Sequence, residues 1–465
     1  MPIRRYCPAT ATWGEAMRTV RAFSLLLATA LILGVAPPAQ TDTGQVSAIP
    51  TGQGVDICEE LFAGVYAMPS REPLARCQWN MSLIDADASA RRAATGQGVT
   101  IGVLDSGVDL KHPDIRPNLD RARSCSFISA DDPTAAPSEV ADGDCSNKAA
   151  VQDLYGHGTH VASIAAAPVN DVGIAGVAPE ATIVALKACT AGGFCFVDSV
   201  AAALRYAGRQ QLDIVNMSLF ADPYLYYCSN NAEQRAMLHR LKKAARYAQQ
   251  RGVVLVAAAG NQSTDLRHPV LDPISPNWPP GSAETRRVRN NCRVAPAELP
   301  GVITVSATGP VGYPGYTTNI ASYSTVGVDI AAPGGDYFSA SGTVQDAVLG
   351  AVPRESVIFE GLDPYNRLFP GITITDQGAT YVFINGTSMA APHVAGVAAL
   401  IREQHPRWSS GAVAAAVYRS ATDLACPPDW EPLFEEDERY RCYGNRAHTS
   451  FFGHGLVNAA AAARR

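Results

Sequence analysis

The stretch Asn385-Gly386-Thr387-Ser388-Met389-Ala390-Ala391-Pro392-His393-Val394-Ala395-Gly396 decides how the rest of the chain is read. A serine follows a glycine turn and opens an apolar run. Val394, Val397, Ala398 and Ile401 recur at helical spacing and the residues between them are mostly small and apolar, a pattern that predicts a buried helix. Ser388 falls in its first turn, where backbone N–H groups lack intrahelical partners and point at whatever binds there. Pro392 has no N–H to give the carbonyl of Ser388, which loosens that turn. A hydroxyl beside unused N–H groups suits a nucleophile whose product is an oxyanion. The plain alternative is a serine at the start of a buried helix, and partners elsewhere in the chain decide between the two.

A serine needs a base to take its proton, and that base must be held in one tautomer. Residues 99–104 form a short apolar run that ends in Asp105-Ser106-Gly107-Val108-Asp109. Gly96 and Gly98 precede this run, whereas a dinucleotide fingerprint places its glycines after the strand, so that reading is excluded. His157 lies in Gly156-His157-Gly158-Thr159-His160-Val161-Ala162, and Ala162, Ala165 and Ala166 would let its helix approach the serine helix closely. Ala257-Ala258-Ala259-Gly260-Asn261 follows another strand-like run. Taken singly, Asp105 and Asn261 read as turn residues and His157 as a cap or core histidine. Taken together, in this order and these contexts, the motifs resemble those of the subtilisin-like serine proteases, the subtilases. The resemblance covers roughly residues 78–462, from Gln78-Trp79-Asn80-Met81 to Gly453-His454-Gly455-Leu456-Val457-Asn458 and the alanine run after it.

The resemblance implies a serine endopeptidase that works through an acyl-enzyme. Ser388 would be the nucleophile, His157 the base and Asp105 its orienting carboxylate. The side-chain amide of Asn261 would donate to the oxyanion alongside the N–H of Ser388. Ser218, Leu219 and Phe220 would pair with an extended substrate, and Ala258, Ala259 and Gly260 would form a pocket wall. Phe220 stands where the family has glycine, so its ring would narrow the cleft, and Val294 falls near the pocket base. Neither wall segment carries Asp or Glu, which favours a small or medium apolar side chain at P1. His160 and His393 take structural roles. Pro168, Asn170, Val172 and Ile174, with Asp114, match a family calcium loop of oxygen ligands, with a plain Asn-Asp turn as the alternative. The ion would be structural, and catalysis would need no cofactor. Partners would be polypeptide substrates, with the protein a monomer. Two other readings stay open: a catalytically inactive binding or scaffold protein on the same fold, and another acyl hydrolase. The second is disfavoured, since Gly-x-Ser-x-Gly does not surround Ser388 and the histidine precedes the serine.

Further strand-like runs at 183–187, 212–217, 253–258 and 302–306 alternate with helical stretches at 197–210 and 232–250. This predicts an α/β fold, a three-layer, mainly parallel sheet with helices on both faces. Reactive groups collect beyond the C-terminal ends of such strands, and Asp105, Ser218 and Asn261 each follow one. The net charge of -6 over 465 residues excludes a typical nucleic-acid binder. Eleven cysteines favour an oxidising compartment. Arg18 and Arg21 precede an apolar run at 22–36, the layout of a signal peptide ending near residue 39, with Met17 as a second possible start and an uncleaved anchor as the alternative. A secreted or periplasmic protein follows. Its removal would delete Cys7 and leave ten cysteines, which pair by sequence proximity as 58–77, 125–145, 189–195, 228–292 and 426–442. Residues 40–77 read as a short pro-segment or extension and 78–465 as the peptidase domain. Irregular surface insertions are expected near 121–151, 262–300 and 334–381.

Overall fold

Runs of β-branched and small apolar residues build the central sheet of the computed structural model, which describes residues 49–62, 65–310, 318–337, 339, 342–366, 371–427 and 441–464. Its eight strands are β1 (Thr100–Asp105), β2 (Cys125–Ser126), β3 (Thr182–Lys187), β4 (Ile214–Met217), β5 (Val254–Ala258), β6 (Val302–Gly309), β7 (Asn319–Ile320) and β8 (Ile330–Pro333). They lie in the order β7-β6-β5-β4-β1-β3-β2, with β8 also paired to β6. Every pairing is parallel except β6 with β7. All residues of β1 and β6 are buried, as expected where helices cover both faces.

Helices α2 (His157–Ala166), α3 (Val197–Arg209), α4 (Ala232–Gln250) and α5 (Thr387–Gln404) supply that cover; α1 is the N-terminal helix Thr51–Phe62. Alternate strand residues point to opposite faces. Val184, Leu186, Val215, Met217, Leu255 and Ala257 therefore share one face, where they pack with Val200 and Leu204 of α3 and Leu238 and Leu241 of α4. Burying each large aliphatic side chain there contributes roughly 1.5–3 kcal/mol. Helices α2 and α5 pack on each other and on the sheet strands. The strand register brings the C-terminal ends level: Asp105 lies opposite Lys187, Val103 opposite Asn216, and Met217 opposite Ala257. The loops that follow β1, β4 and β5 thus emerge side by side.

The stretch 334–381 is far more regular than its sequence suggests. It holds β9 (Val348–Ala351), β10 (Thr373–Asp376) and the start of β11 (Ala379–Ile384), which pair antiparallel. The short strand Ile49–Pro50 runs parallel along β10 at the edge. Val348, Leu349, Tyr381 and Phe383 are buried. Gly350 lies against the His160 ring, where an added Cβ would come within 2.6 Å of three ring atoms. A glycine in the middle of a four-residue strand conceals the periodicity that would have revealed it. Within 262–300, Leu271–Ser275 and Glu284–Arg287 form a hairpin, and Cys292–Val294 pairs with Tyr226–Cys228.

All five nearest-neighbour disulfides are formed. The described residues fall in one compact unit, Gln45–Arg465. No described helix is long and apolar enough to cross a membrane, and the run at 22–36 lies outside the described residues.

Candidate active site

Asp105 ends β1 and is buried, with Ser106 N–H donating to its Oδ1 at 2.7 Å. His157 is the first residue of α2. A Cβ at Gly158 would meet the carbonyl oxygen of Gly107 at 2.1 Å, so the glycine lets the first turn of α2 close against the end of β1. The imidazole Nδ1 lies 2.8 and 3.0 Å from the two Asp105 carboxylate oxygens. A carboxylate only accepts, so Nδ1 carries the proton and Nε2 is left as the acceptor. Burial opposes protonation of this imidazole. The charge and hydrogen bond of Asp105, with the charge of Asp153 behind it, outweigh burial and hold the pKa above its ordinary value.

Ser388 is the second residue of α5, and Pro392 sits inside that helix. The carbonyl that Pro392 leaves unused accepts instead from the Ser218 hydroxyl at 2.7 Å. In return Ser388 Oγ donates to the Ser218 carbonyl at 3.1 Å. Among the described residues no hydrogen bond joins Ser388 to His157. Ser218 follows β4 directly, so this reciprocal pair fixes the first turn of α5 to the sheet edge beside Asp105.

Asn261 follows β5 through Gly260, whose φ of +120° favours glycine. Its Oδ1 accepts from both the N–H (3.0 Å) and the hydroxyl (2.8 Å) of Thr387. This double bond to donors determines which end of the amide is oxygen, and it turns the NH₂ outward. Thr387 Oγ1 also accepts from Gly260 N–H at 3.1 Å. A Cβ placed on Gly386 would lie 3.5 Å from Asn261 Nδ2 and 3.7 Å from Ser388 N. Two donors therefore border one small space, kept open by the missing side chain at 386. Thr387 is a residue the motif reading passed over, although it stands inside the decisive stretch.

Ser218, Ala258 and Ala259 are buried, while Leu219, Phe220 and Gly260 are half-buried. The Phe220 ring packs at the edge of the core beneath α3 and α4. Val294 is buried within its short strand. His160 and His393 are fully buried, and desolvation pushes them down to about 3 and about 4, so both are neutral structural groups.

The loop 168–174 lies away from this edge. Asp114 is fully buried; its Oδ2 accepts from Tyr381 OH (2.7 Å) and Ile174 N–H (3.1 Å), while Oδ1 has no partner. Burial, opposed by these bonds, pushes its carboxyl up to about 7. Asn170 Oδ1 accepts only a 3.2 Å bond from Val172 N–H. Among the described residues no donor reaches the carbonyls of Pro168, Val172 or Ile174. An orphaned carboxylate oxygen beside free carbonyls fits a hard cation. Among the described residues there is no cluster of three or more His, Cys, Asp or Glu suited to a metal, so such an ion would rest mainly on carbonyl and amide oxygens.

A parallel sheet with an Asp–His pair and a helix-borne serine gathered at its C-terminal edge defines an α/β serine hydrolase. The subtilase family model matches residues 96–455, and the chain belongs to that family as a subtilisin-like serine endopeptidase. The chain is 31% identical to the M-protease of Shouchella clausii (strain KSM-K16) over 388 residues, 83% of this chain and 70% of that protein. It is 30% identical to Subtilisin Savinase of Lederbergia lenta over 388 residues, covering 98% of that protein. Among solved structures it resembles fervidolysin from Fervidobacterium pennivorans, a keratinolytic enzyme related to subtilisin, with 25% identity, a TM-score of 0.56, and coverage of 85% of this chain and 46% of the other.

Proposed function

We propose that this is a secreted, monomeric endopeptidase that cuts peptide bonds through an acyl-enzyme on Ser388. His157 Nε2 takes the serine proton, Asp105 steadies the resulting imidazolium, and the proton then passes to the leaving amine. The oxyanion forms in the space bordered by Asn261 Nδ2 and Ser388 N–H. A substrate strand pairing along Ser218–Phe220 competes for the Ser218 carbonyl and frees Ser388 Oγ to turn toward His157. The observation that carries this reading is the Asp105–His157 pair at 2.8 Å, which leaves Nε2 as a base on the edge that holds Ser388. The apolar, uncharged walls at Ala258–Gly260 and Leu219–Phe220 favour small or medium apolar P1 side chains. Pro168, Asn170, Val172, Ile174 and Asp114 would hold calcium, which would brace the loop by charge and take no part in bond cleavage. The run at 22–36 acts as the export signal.

Residues 49–77 are read as a lasting extension rather than a pro-segment. Their bonds go to β10, to the loop 168–174, to Ser82 and Arg91 and to each other, and among the described residues none goes to Ser218, Leu219 or Phe220. To test the function, separate samples of wild type and Ser388→Ala are treated with a fluorophosphonate probe or given casein. The wild type should label and cleave. The variant should stay folded, without label or turnover, and normal cleavage by it would overturn the assignment.

A further inference from the structure

We infer that Glu139, carried by the excursion between Cys125 and Cys145, is a positioning residue for the Asp105–His157 pair and for the loop that Cys189–Cys195 closes. The inference builds on the peptidase reading above. Glu139 and Lys187 are both almost completely buried and form an ion pair at 3.0 Å. Lys187 ends β3, opposite Asp105 in the sheet. Its ammonium also donates to the carbonyls of Ser106 (2.7 Å) and Gln152 (2.9 Å), while Glu139 Oε2 meets it as an ion pair without a hydrogen bond.

Ser106 is the hub that links this ammonium to the site. Its N–H bonds Asp105, its hydroxyl donates to Asp153 at 2.9 Å, and the same oxygen accepts from Gly158 N–H in the first turn of α2 at 2.9 Å. Asp153 in turn accepts from the backbone N–H of Gly156 and Thr159, on either side of His157. Lys187 thus secures both the strand end that bears the carboxylate and the turn that bears the imidazole. A buried ammonium so placed needs a counter-charge, and Glu139 gives it one from outside the sheet.

The other oxygen of Glu139 reaches the loop that follows β3. Oε1 accepts from Ala136 N–H (2.7 Å) and from Ala191 N–H (2.9 Å), in the loop closed by Cys189–Cys195. A Thr134–Thr190 hydroxyl pair at 2.7 Å makes a second tie between excursion and loop. One carboxylate therefore joins the excursion, the loop after β3 and the catalytic edge. The charged and titratable groups around His157 are Asp105, Asp153, Tyr155, His160 and, one layer out, Lys187 with Glu139.

Glu139→Gln keeps the shape and the acceptor for Ala191 but removes the charge. Lys187 then has only Asp153 to oppose its charge, and the lost negative charge disfavours the nearby imidazolium, so the NMR titration of His157 should fall by roughly half a pH unit. The acid limb of kcat/KM should move the same way, and kcat should drop about tenfold through misplacement of the pair. Glu139→Asp keeps the charge on a shorter stem, so it should preserve the titration point while still lowering kcat; it also keeps the test open if the glutamine variant does not fold. An unchanged His157 titration with wild-type kcat in Glu139→Gln would overturn the inference. The titration needs no substrate, so absence of peptide cleavage in the wild type would sink the peptidase reading alone, while a shifted titration would still uphold the positioning role.

Discussion

Asn261 is held by its acceptor end, and that leaves its donor end free for chemistry. The N–H and hydroxyl of Thr387 both point at Oδ1, so the NH₂ faces the space beside Ser388 without needing to reorganise. A preorganised donor acts mainly on the transition state, where charge has developed. Asn261→Ala is therefore expected to lower kcat by roughly 10²–10³ with little change in KM. A steady-state comparison checks this, and a rise in KM alone would count against the role. Residue electrostatics also set the pH profile. As the proposed base, His157 must be neutral to accept a proton, and its neighbours hold its pKa above the ordinary 6.5. As pH rises, kcat/KM should climb with a midpoint above that value. A midpoint at or below 6.5 would mean that Asp105 and Asp153 do not outweigh burial. Asp105, His157, Asn261 and Ser388 were legible in sequence because each stands beside a glycine or a small hydroxyl residue at one end of an apolar or small-residue run. Asp153, Lys187 and Glu139 were not, since they come from separate segments and meet only through space.

At the level of elements, legibility followed burial. Strands covered on both faces read as unbroken apolar runs, and β1, β3, β4, β5 and β6 were found that way. β9 and β10 escaped notice because they are short and carry Gly350, Thr373 and Thr375 among their apolar residues. Their packing changes the setting of the loop 168–174. Tyr381 of β11 and Asp376 of β10 bond Asp114 and the N–H of Gly173, so the inserted sheet braces the loop from one side. Calcium held by Pro168, Asn170, Val172, Ile174 and Asp114 would brace it further. A ligand that binds only the folded state raises stability by mass action, by about 2.7 kcal/mol at a hundredfold excess over Kd. Thermal melting is expected to fall on adding EGTA and to recover with calcium. Coincident curves, with no metal by elemental analysis, would mean that the sheet alone supports the loop.

Across the whole molecule, residues 49–77 pack as a part of the domain. Ile49–Pro50 extends the inserted sheet, Leu74 N–H bonds the Gly173 carbonyl, and Glu72 accepts from Asn170 N–H. Phe62, Leu74 and Cys77 are buried. Active protein is expected to retain these residues, and intact-mass analysis that places its N-terminus after Cys77 would refute that. Replacing both Cys58 and Cys77 by serine should cost about 3 kcal/mol in urea unfolding, as for a loop of this length. The same bridge has another consequence. Val65 and Met68 stand exposed inside the span it closes, within reach of any protease, this one included. A nick there would yield a two-chain enzyme whose pieces travel together, invisible on a gel until a reducing agent separates them.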